Sequence, residues 1–421
     1  MELKPYQQRV ITSLSEYLQY LQADKRIDVA FNRYWEDKIG PYNPLEGTGM
    51  KPYQNTVPGA VHLCIKVPTA GGKTFIACNA LATIFNAYDT TKPKAVVWLV
   101  PWSNLLDQTV AALSDPQHPY RQKLNTLFSG RVEIYQKKDL LQGSNFNPVA
   151  VSGQLSIFVL SFASIRARKK EDRKIFEENG QLAAFAGAAG IVPNVLKDTD
   201  ETALINVIRS LQPVIVVDES HNAESELSTD MLNDLAPSFI LDLTATPKSK
   251  SNIISYVSAI ELKKEHMVKL PVIVYNHHDR NEVISSALHL QRKLEILSIA
   301  EYAEGGQYIR PIVLFQAQPR TKEDNITIQS VKEKLIALGI PEAQIKIKTA
   351  EIDELKGINL MAKDCVVRYI ITINALKEGW DCPFAYILAS LADKSSEVDV
   401  TQILGRVLRQ PYVTRHRNYQ L

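Results

Sequence analysis

Short runs of apolar, often β-branched residues alternate along this chain with longer stretches whose apolar positions recur at helical spacing. The clearest run is Val214-Ile215-Val216-Val217, whose unbroken β-branched character predicts a strand buried on both faces of a parallel sheet. By the same reading the first half of the chain holds strands over 62–67, 95–100, 157–160, 214–217 and 239–243. A charged stretch, Glu261-Leu262-Lys263-Lys264-Glu265, runs on to Pro271 and marks a boundary. Beyond it a helical segment over 282–303 leads into a second set of strands over 312–315, 345–348, 369–373 and 386–391. Strands alternating with helices predict α/β layers. Two stretches break the pattern: 38–57, rich in Pro, Gly, Asn and Tyr, reads as a long loop. Residues 166–210, charged and then rich in Ala and Gly, read as an insertion, part helical and free to move. The two halves echo each other as strand–helix units, without a repeat of solenoid period.

At 421 residues the chain exceeds what one hydrophobic core usually serves, so two domains are expected, 1–262 and 263–421. A formal net charge of +2 is nearly balanced, so any nucleic-acid contact has to come from a local groove and not from a global basic field. Cys64, Cys78, Cys365 and Cys382 are scattered, with no Cys-x-x-Cys pair. That argues against a zinc site or a disulfide framework and suits a reducing cytoplasm. Met1-Glu2-Leu3-Lys4 opens no signal peptide, and no apolar run is long enough to span a membrane.

Candidate chemistry sits at the ends of the expected strands. After 62–67 come Pro68-Thr69-Ala70-Gly71-Gly72-Lys73-Thr74 and then an apolar helical pattern. Glycines there let backbone N–H groups turn onto a polyphosphate at the positive end of the new helix, with Lys73 bridging phosphates and Thr74 holding a magnesium ion. An ordinary strand–turn–helix with a Gly-Gly break would look the same in isolation. After 214–217 come Asp218-Glu219-Ser220-His221, a carboxylate pair suited to magnesium and to an attacking water, or a solvated helix cap. Leu243-Thr244-Ala245-Thr246-Pro247 sets two hydroxyls at a strand end, able to sense a terminal phosphate or simply to make a turn. Pro101, Trp102 and Gln108 follow 95–100, in a segment able to grip a phosphodiester backbone or to cap a helix. Tyr6 and Gln7 offer a ring and an amide to a base, or belong to an amphipathic N-terminal helix. In the second half, Lys377-Glu378-Gly379-Trp380-Asp381 supplies a glycine turn and a carboxylate. Gln402-Ile403-Leu404-Gly405-Arg406-Val407-Leu408-Arg409 places two arginines three apart, on one face if helical. The basic run 166–170 reads as a solvated helix face rather than a phosphate contact, and His277-His278-Asp279 lacks a third nearby ligand for a metal.

Taken in order, these segments resemble the motifs of superfamily 2 helicases, and the Glu378-Gly379-Trp380-Asp381 form is most similar to the restriction subunit of type III restriction enzymes and its DEAD/DEAH-box relatives. Val67 and Ala70 stand where the general pattern has glycine. The resemblance implies two tandem RecA-like α/β domains, parallel sheets flanked by helices, with the nucleotide site in the cleft between them. It implies that Tyr6 and Gln7 meet adenine, that Thr69, Ala70, Gly71, Gly72, Lys73 and Thr74 hold ATP phosphates, and that Thr74 and Asp218 hold Mg²⁺. Glu219 would activate water, Gly379 and Asp381 would meet the nucleotide from the second domain, and Arg406 and Arg409 would be arginine fingers. Pro101, Trp102, Gln108, Thr244, Thr246 and Gln402 would contact nucleic acid or couple hydrolysis to movement. The implied activity is a cytoplasmic ATP-dependent nucleic-acid motor, DNA favoured over RNA, in a restriction or phage-defence system and with further subunits or a further C-terminal domain as partners. An RNA helicase or remodeller, and a nucleotide-gated binding module with little hydrolysis, remain open. No nuclease carboxylate–lysine cluster is visible, and the second domain is expected to continue past Leu421.

Overall fold

A computed structural model of the chain describes residues 1–87, 93–101, 103–165, 173–218, 226–318, 327–349, 351–373, 382–391, 407–418, 420 and 421. Two compact units emerge, Met1–Pro68 with Gly72–Val257, and Ser258–Leu421 with the short stretch Thr69–Gly71 counted to it.

The first unit is built on seven parallel strands: β1 Val61–Lys66, β2 Lys94–Val100, β3 Val132–Gln136, β4 Leu155–Ser161, β5 Val214–Asp218, β6 Phe239–Thr244 and β7 Ile253–Tyr256. Their order across the sheet is β3-β4-β2-β5-β6-β1-β7. Because side chains alternate along a strand, one face takes Ala95, Val97 and Leu99 of β2 with Ile215 and Val217 of β5. Val96 and the fully buried Trp98 therefore serve the opposite face, which explains why these strands read as continuous apolar runs. Each such Val, Leu or Ile side chain contributes about 1.5–3 kcal/mol by leaving water.

The described part of the expected insertion, 173–210, is packed rather than loose. Ile175, Leu182, Phe185, Leu204, Val207 and Ile208 belong to the same core cluster as β2 and β5. Its helical content is modest, two 3₁₀ turns at Arg173–Ile175 and Gly180–Phe185 and one helix, Leu204–Ser210. The loop read over 38–57 begins later than expected, since a helix, Ile27–Ile39, carries through to Ile39. Asn252 ties the loop down: Gln54 N–H donates to Asn252 Oδ1 (2.7 Å), and Asn252 Nδ2 donates to the carbonyls of Gln54 and His62 (both 2.9 Å).

The second unit carries a four-stranded parallel sheet, β8 Ile312–Gln316, β9 Ile345–Ile347, β10 Tyr369–Thr372 and β11 Ala385–Ser390, in the order β11-β8-β10-β9. The helix Arg280–Ala303, capped by Asp279 accepting from Asn281 N–H (3.1 Å), packs on β8 and β11. Ile284, Leu288 and Leu294 of that helix join Val313, Leu314 and Phe315 of β8 and Ile370 and Ile371 of β10 in one apolar cluster. Among the described residues no helix is long and apolar enough to cross a membrane.

Candidate nucleotide site

Strand register decides which motif residues meet. β1 pairs with β6 so that Lys66 lies opposite Thr244, and Val67 N–H donates to the Thr244 carbonyl (2.9 Å). β6 pairs with β5 so that Asp218 lies opposite Leu243. The phosphate-loop segment, the Thr244–Thr246 turn and Asp218 therefore leave three neighbouring strands at the same carboxyl edge, where parallel sheets place their ligands. On the other side of β5, Leu99 of β2 pairs with Val217, which brings Pro101 to that edge as well.

Within the loop, Gly72 adopts φ +72° and its carbonyl accepts from Ile76 N–H (3.0 Å), so the turn passes directly into the helix Lys73–Ala87. Ala70 holds φ +68°, a left-handed conformation that a residue with a Cβ adopts at a cost of about 1–2 kcal/mol, and this is where helicase-type loops commonly have glycine. Lys73, the first residue of the helix, is 9% exposed, and Thr74 beside it is half-buried.

The N-terminal helix Pro5–Asp24 explains the position of Gln7. Its capping box has Gln7 Oε1 accepting from Lys4 N–H (3.0 Å), which leaves Nε2 as the outward end of a side chain only 2% exposed. That nitrogen lies against the loop: a Cβ built on Gly72 would sit 2.7 Å from it. Tyr6 is buried in the helix's packing face, 4% exposed. Gly72→Ala should thus cost about 1–2 kcal/mol through φ alone, plus whatever Gln7 loses by yielding. Urea titration of Gly72→Ala in wild-type and Gln7→Ala backgrounds separates the two shares; equal costs in both would mean Gln7 does not press on the loop.

At the neighbouring strand end, Thr244 is fully buried and its Oγ1 accepts from Thr246 N–H (3.1 Å). The Thr246 hydroxyl is buried and has no hydrogen-bond partner among the described residues. Asp218 is half-buried, Gln108 is exposed on the helix Ser103–Ser114, and Pro101 and Thr69 are half-buried. Glu219, Trp102, Gly379, Asp381, Gln402 and Arg406 lie outside the described residues.

Arg409 departs from expectation. Its backbone is not helical but forms an antiparallel bridge with Val268, and Gln410 N–H donates to the Met267 carbonyl (3.0 Å). The physical reason is next door: Pro411 disfavours helical backbone at Gln410, which is extended at φ −73°, ψ 126°. The Arg409 side chain is exposed. Among the described residues no cluster of His, Cys, Asp or Glu could hold a metal by itself. Asp279 is engaged as a helix cap, and His277 Nδ1 stands 3.7 Å from Glu282 Oε2. The four cysteines are free thiols.

A helix start preceded by a glycine at positive φ, a buried lysine at its first position and a buried hydroxyl without a partner among the described residues on the neighbouring strand end suit a polyphosphate anion. Two parallel α/β sheets with these motifs at the edge of the first are the RecA-like architecture of superfamily 2 helicases. Residues 1–249 match the family described as type III restriction enzyme, res subunit, and the chain belongs to that family. Among solved structures, it is similar to an ATP-dependent type ISP restriction-modification enzyme, LlaBIII, bound to DNA (TM-score 0.53, 14% identity), over 97% of this chain and 27% of that one. Also similar, at TM-scores of 0.42 and 0.43, are S. cerevisiae Dbp5 bound to RNA and ADP BeF3 (12% identity, 93% of this chain, 83% of that) and the Mycobacterium smegmatis helicase Lhr bound to ssDNA and AMP-PNP (14%, 82% and 42%). The chain thus spans about a quarter of the length of LlaBIII. A search of the curated proteins found no match.

Proposed function

We propose that this chain is the motor of a restriction-type system, hydrolysing ATP to move along or open a nucleic-acid duplex, with DNA as its track. The observation that carries the reading is the shared carboxyl edge of β1, β6 and β5, which collects Lys73, Thr244, Thr246 and Asp218 around a loop whose Gly72 holds a positive φ of +72°. Lys73 would neutralise phosphate oxygens at the positive end of its helix, and the amide of Gln7 would read the base edge. Magnesium held through Thr74 and Asp218 would draw charge from the phosphates. Glu219 would orient and deprotonate the attacking water, and Thr246 would exchange its unsatisfied hydroxyl for a phosphate-side partner. Arg406 and Arg409 would stabilise charge on the transferring phosphoryl group. DNA is favoured because the family is a restriction family.

Phosphate release from ATP, alone and with single-stranded DNA, duplex DNA or RNA, tests the reading, with Lys73→Ala as blank. Stimulation of at least about tenfold by one DNA form is expected. Stimulation by RNA alone would move the protein to RNA remodelling, since backbone contacts do not distinguish the polymers but a 2′-hydroxyl requirement does. Nucleotide binding without turnover on any polymer would overturn the motor.

A further inference from the structure

From the contacts around Lys269 we infer that this residue is the positioning residue of the arginine motif, holding the backbone from which Arg409 projects. The proposal rests on reading Arg409 as an arginine that acts in phosphoryl transfer. Lys269 is half-buried, and its ammonium donates to three carbonyl oxygens: Pro383 (2.9 Å), Ala385 (2.6 Å) and Val407 (2.7 Å). An ammonium has three N–H donors, the same number as these three carbonyls. The same cation lies 4.1 Å from the centre of the Tyr386 ring, a second reason for a lysine to be tolerated there.

The three carbonyls come from two segments far apart in the sequence, the entry to β11 and the stretch that leads into Arg409. Main-chain bonds complete the grip. Lys269 N–H donates to the Leu408 carbonyl (2.7 Å), and Gln410 N–H donates to the Met267 carbonyl (3.0 Å). Arg409 is thereby bracketed: Val407 and Leu408 before it are held by Lys269, and Gln410 after it is held by Met267. A tight frame beneath an exposed side chain is what a catalytic arginine needs, because its fork must be placed without further ordering in the transition state. A surface arginine with only a solvating role needs no such frame. Tyr386, whose ring the cation covers, also donates through its hydroxyl to the Leu421 carbonyl (2.8 Å), which ties the following segment to the same post.

Lys269→Met keeps the aliphatic stem and the main-chain bonds but removes all three side-chain donors; Lys269→Gln keeps a shorter donor group. Two readouts are needed. Amide hydrogen exchange over 407–410 reports the frame directly: exchange at Gln410 should quicken by roughly tenfold or more in Lys269→Met and by less in Lys269→Gln, while β8 amides stay unchanged. Steady-state ATP hydrolysis on the stimulating polymer reports the consequence: kcat should fall by roughly tenfold with KM for ATP within about twofold. Unchanged exchange at Gln410 in both variants would overturn the clamp, whatever the ATPase does. Faster exchange with unchanged kcat would overturn its role in positioning. If the wild-type chain hydrolyses no ATP on any polymer, the motor reading fails, while the exchange result still decides whether Lys269 holds the segment. Quickened exchange throughout the second unit, in Lys269→Gln as well as Lys269→Met, would make Lys269 a general support of the unit and sink the specific inference.

Discussion

Arg409→Ala should lower polymer-stimulated ATP turnover by about three orders of magnitude, the low end of what a single arginine supplied to phosphoryl transfer contributes. The expectation comes from where the residue stands, not from its charge. Its side chain is exposed, yet the backbone on both sides is fixed by bonds to residues 267–269. Arg415, also exposed and six residues further on, is the control. Arg415→Ala should change turnover by less than about twofold, because exposed charges without a fixed geometry contribute little. Equilibrium binding of an ATP analogue should barely distinguish Arg409→Ala from wild type, since the interaction strengthens only as charge develops on the phosphoryl group. A parallel loss from Arg415→Ala would reduce the effect to general electrostatics. A loss confined to binding would remove Arg409 from the chemistry.

The bracket around Arg409 also shows what a sequence hides. Two arginines three apart suggest a shared helical face, but the bridge to Val268 joins residues that no local pattern links. Lys269 was unremarkable in the chain for the same reason: its partners Pro383, Ala385 and Val407 lie far downstream. Strands were more legible. Val214–Asp218 and Ile312–Gln316 announce themselves because both faces of a parallel strand are buried, and short β-branched apolar runs favour a strand over a buried helix. The two strands that the apolar pattern does not mark, Val132–Gln136 and Ile253–Tyr256, lie at the two edges of the larger sheet. Val132-Glu133-Ile134-Tyr135-Gln136 carries polar residues into a half-covered position, and Ile253–Tyr256 is only four residues long. At the site, each motif could be seen to follow an apolar run. That β1, β6 and β5 are neighbours could not, because strand order is set by crossovers through tertiary packing. The proximity of Gln7 to Gly72 was equally invisible, since it depends on how the N-terminal helix packs against the helix Lys73–Ala87.

Lys73→Ala should differ from Arg409→Ala in kind, and the difference tests the division of labour between the two residues. Lys73 is 9% exposed at the first position of its helix, where the helix dipole already presents positive charge. A cation buried there gains most when an anion arrives, so the ground-state complex should depend on it as well as the transition state. Turnover should fall by at least about a hundredfold, the scale set by losing one buried donor to developing charge. ATP affinity should fall with it, unlike in Arg409→Ala. Thermal unfolding provides the cleanest check. Ligand at a hundred times its dissociation constant stabilises a protein by about 2.7 kcal/mol, and that increment should nearly vanish in Lys73→Ala at the same ATP concentration. The unliganded variant should still fold cooperatively, because the change truncates one aliphatic stem at the start of the helix. Retention of the full ATP-induced stabilisation would mean that the phosphates are held by the loop backbone alone, and would move Lys73 from binding into the chemical step.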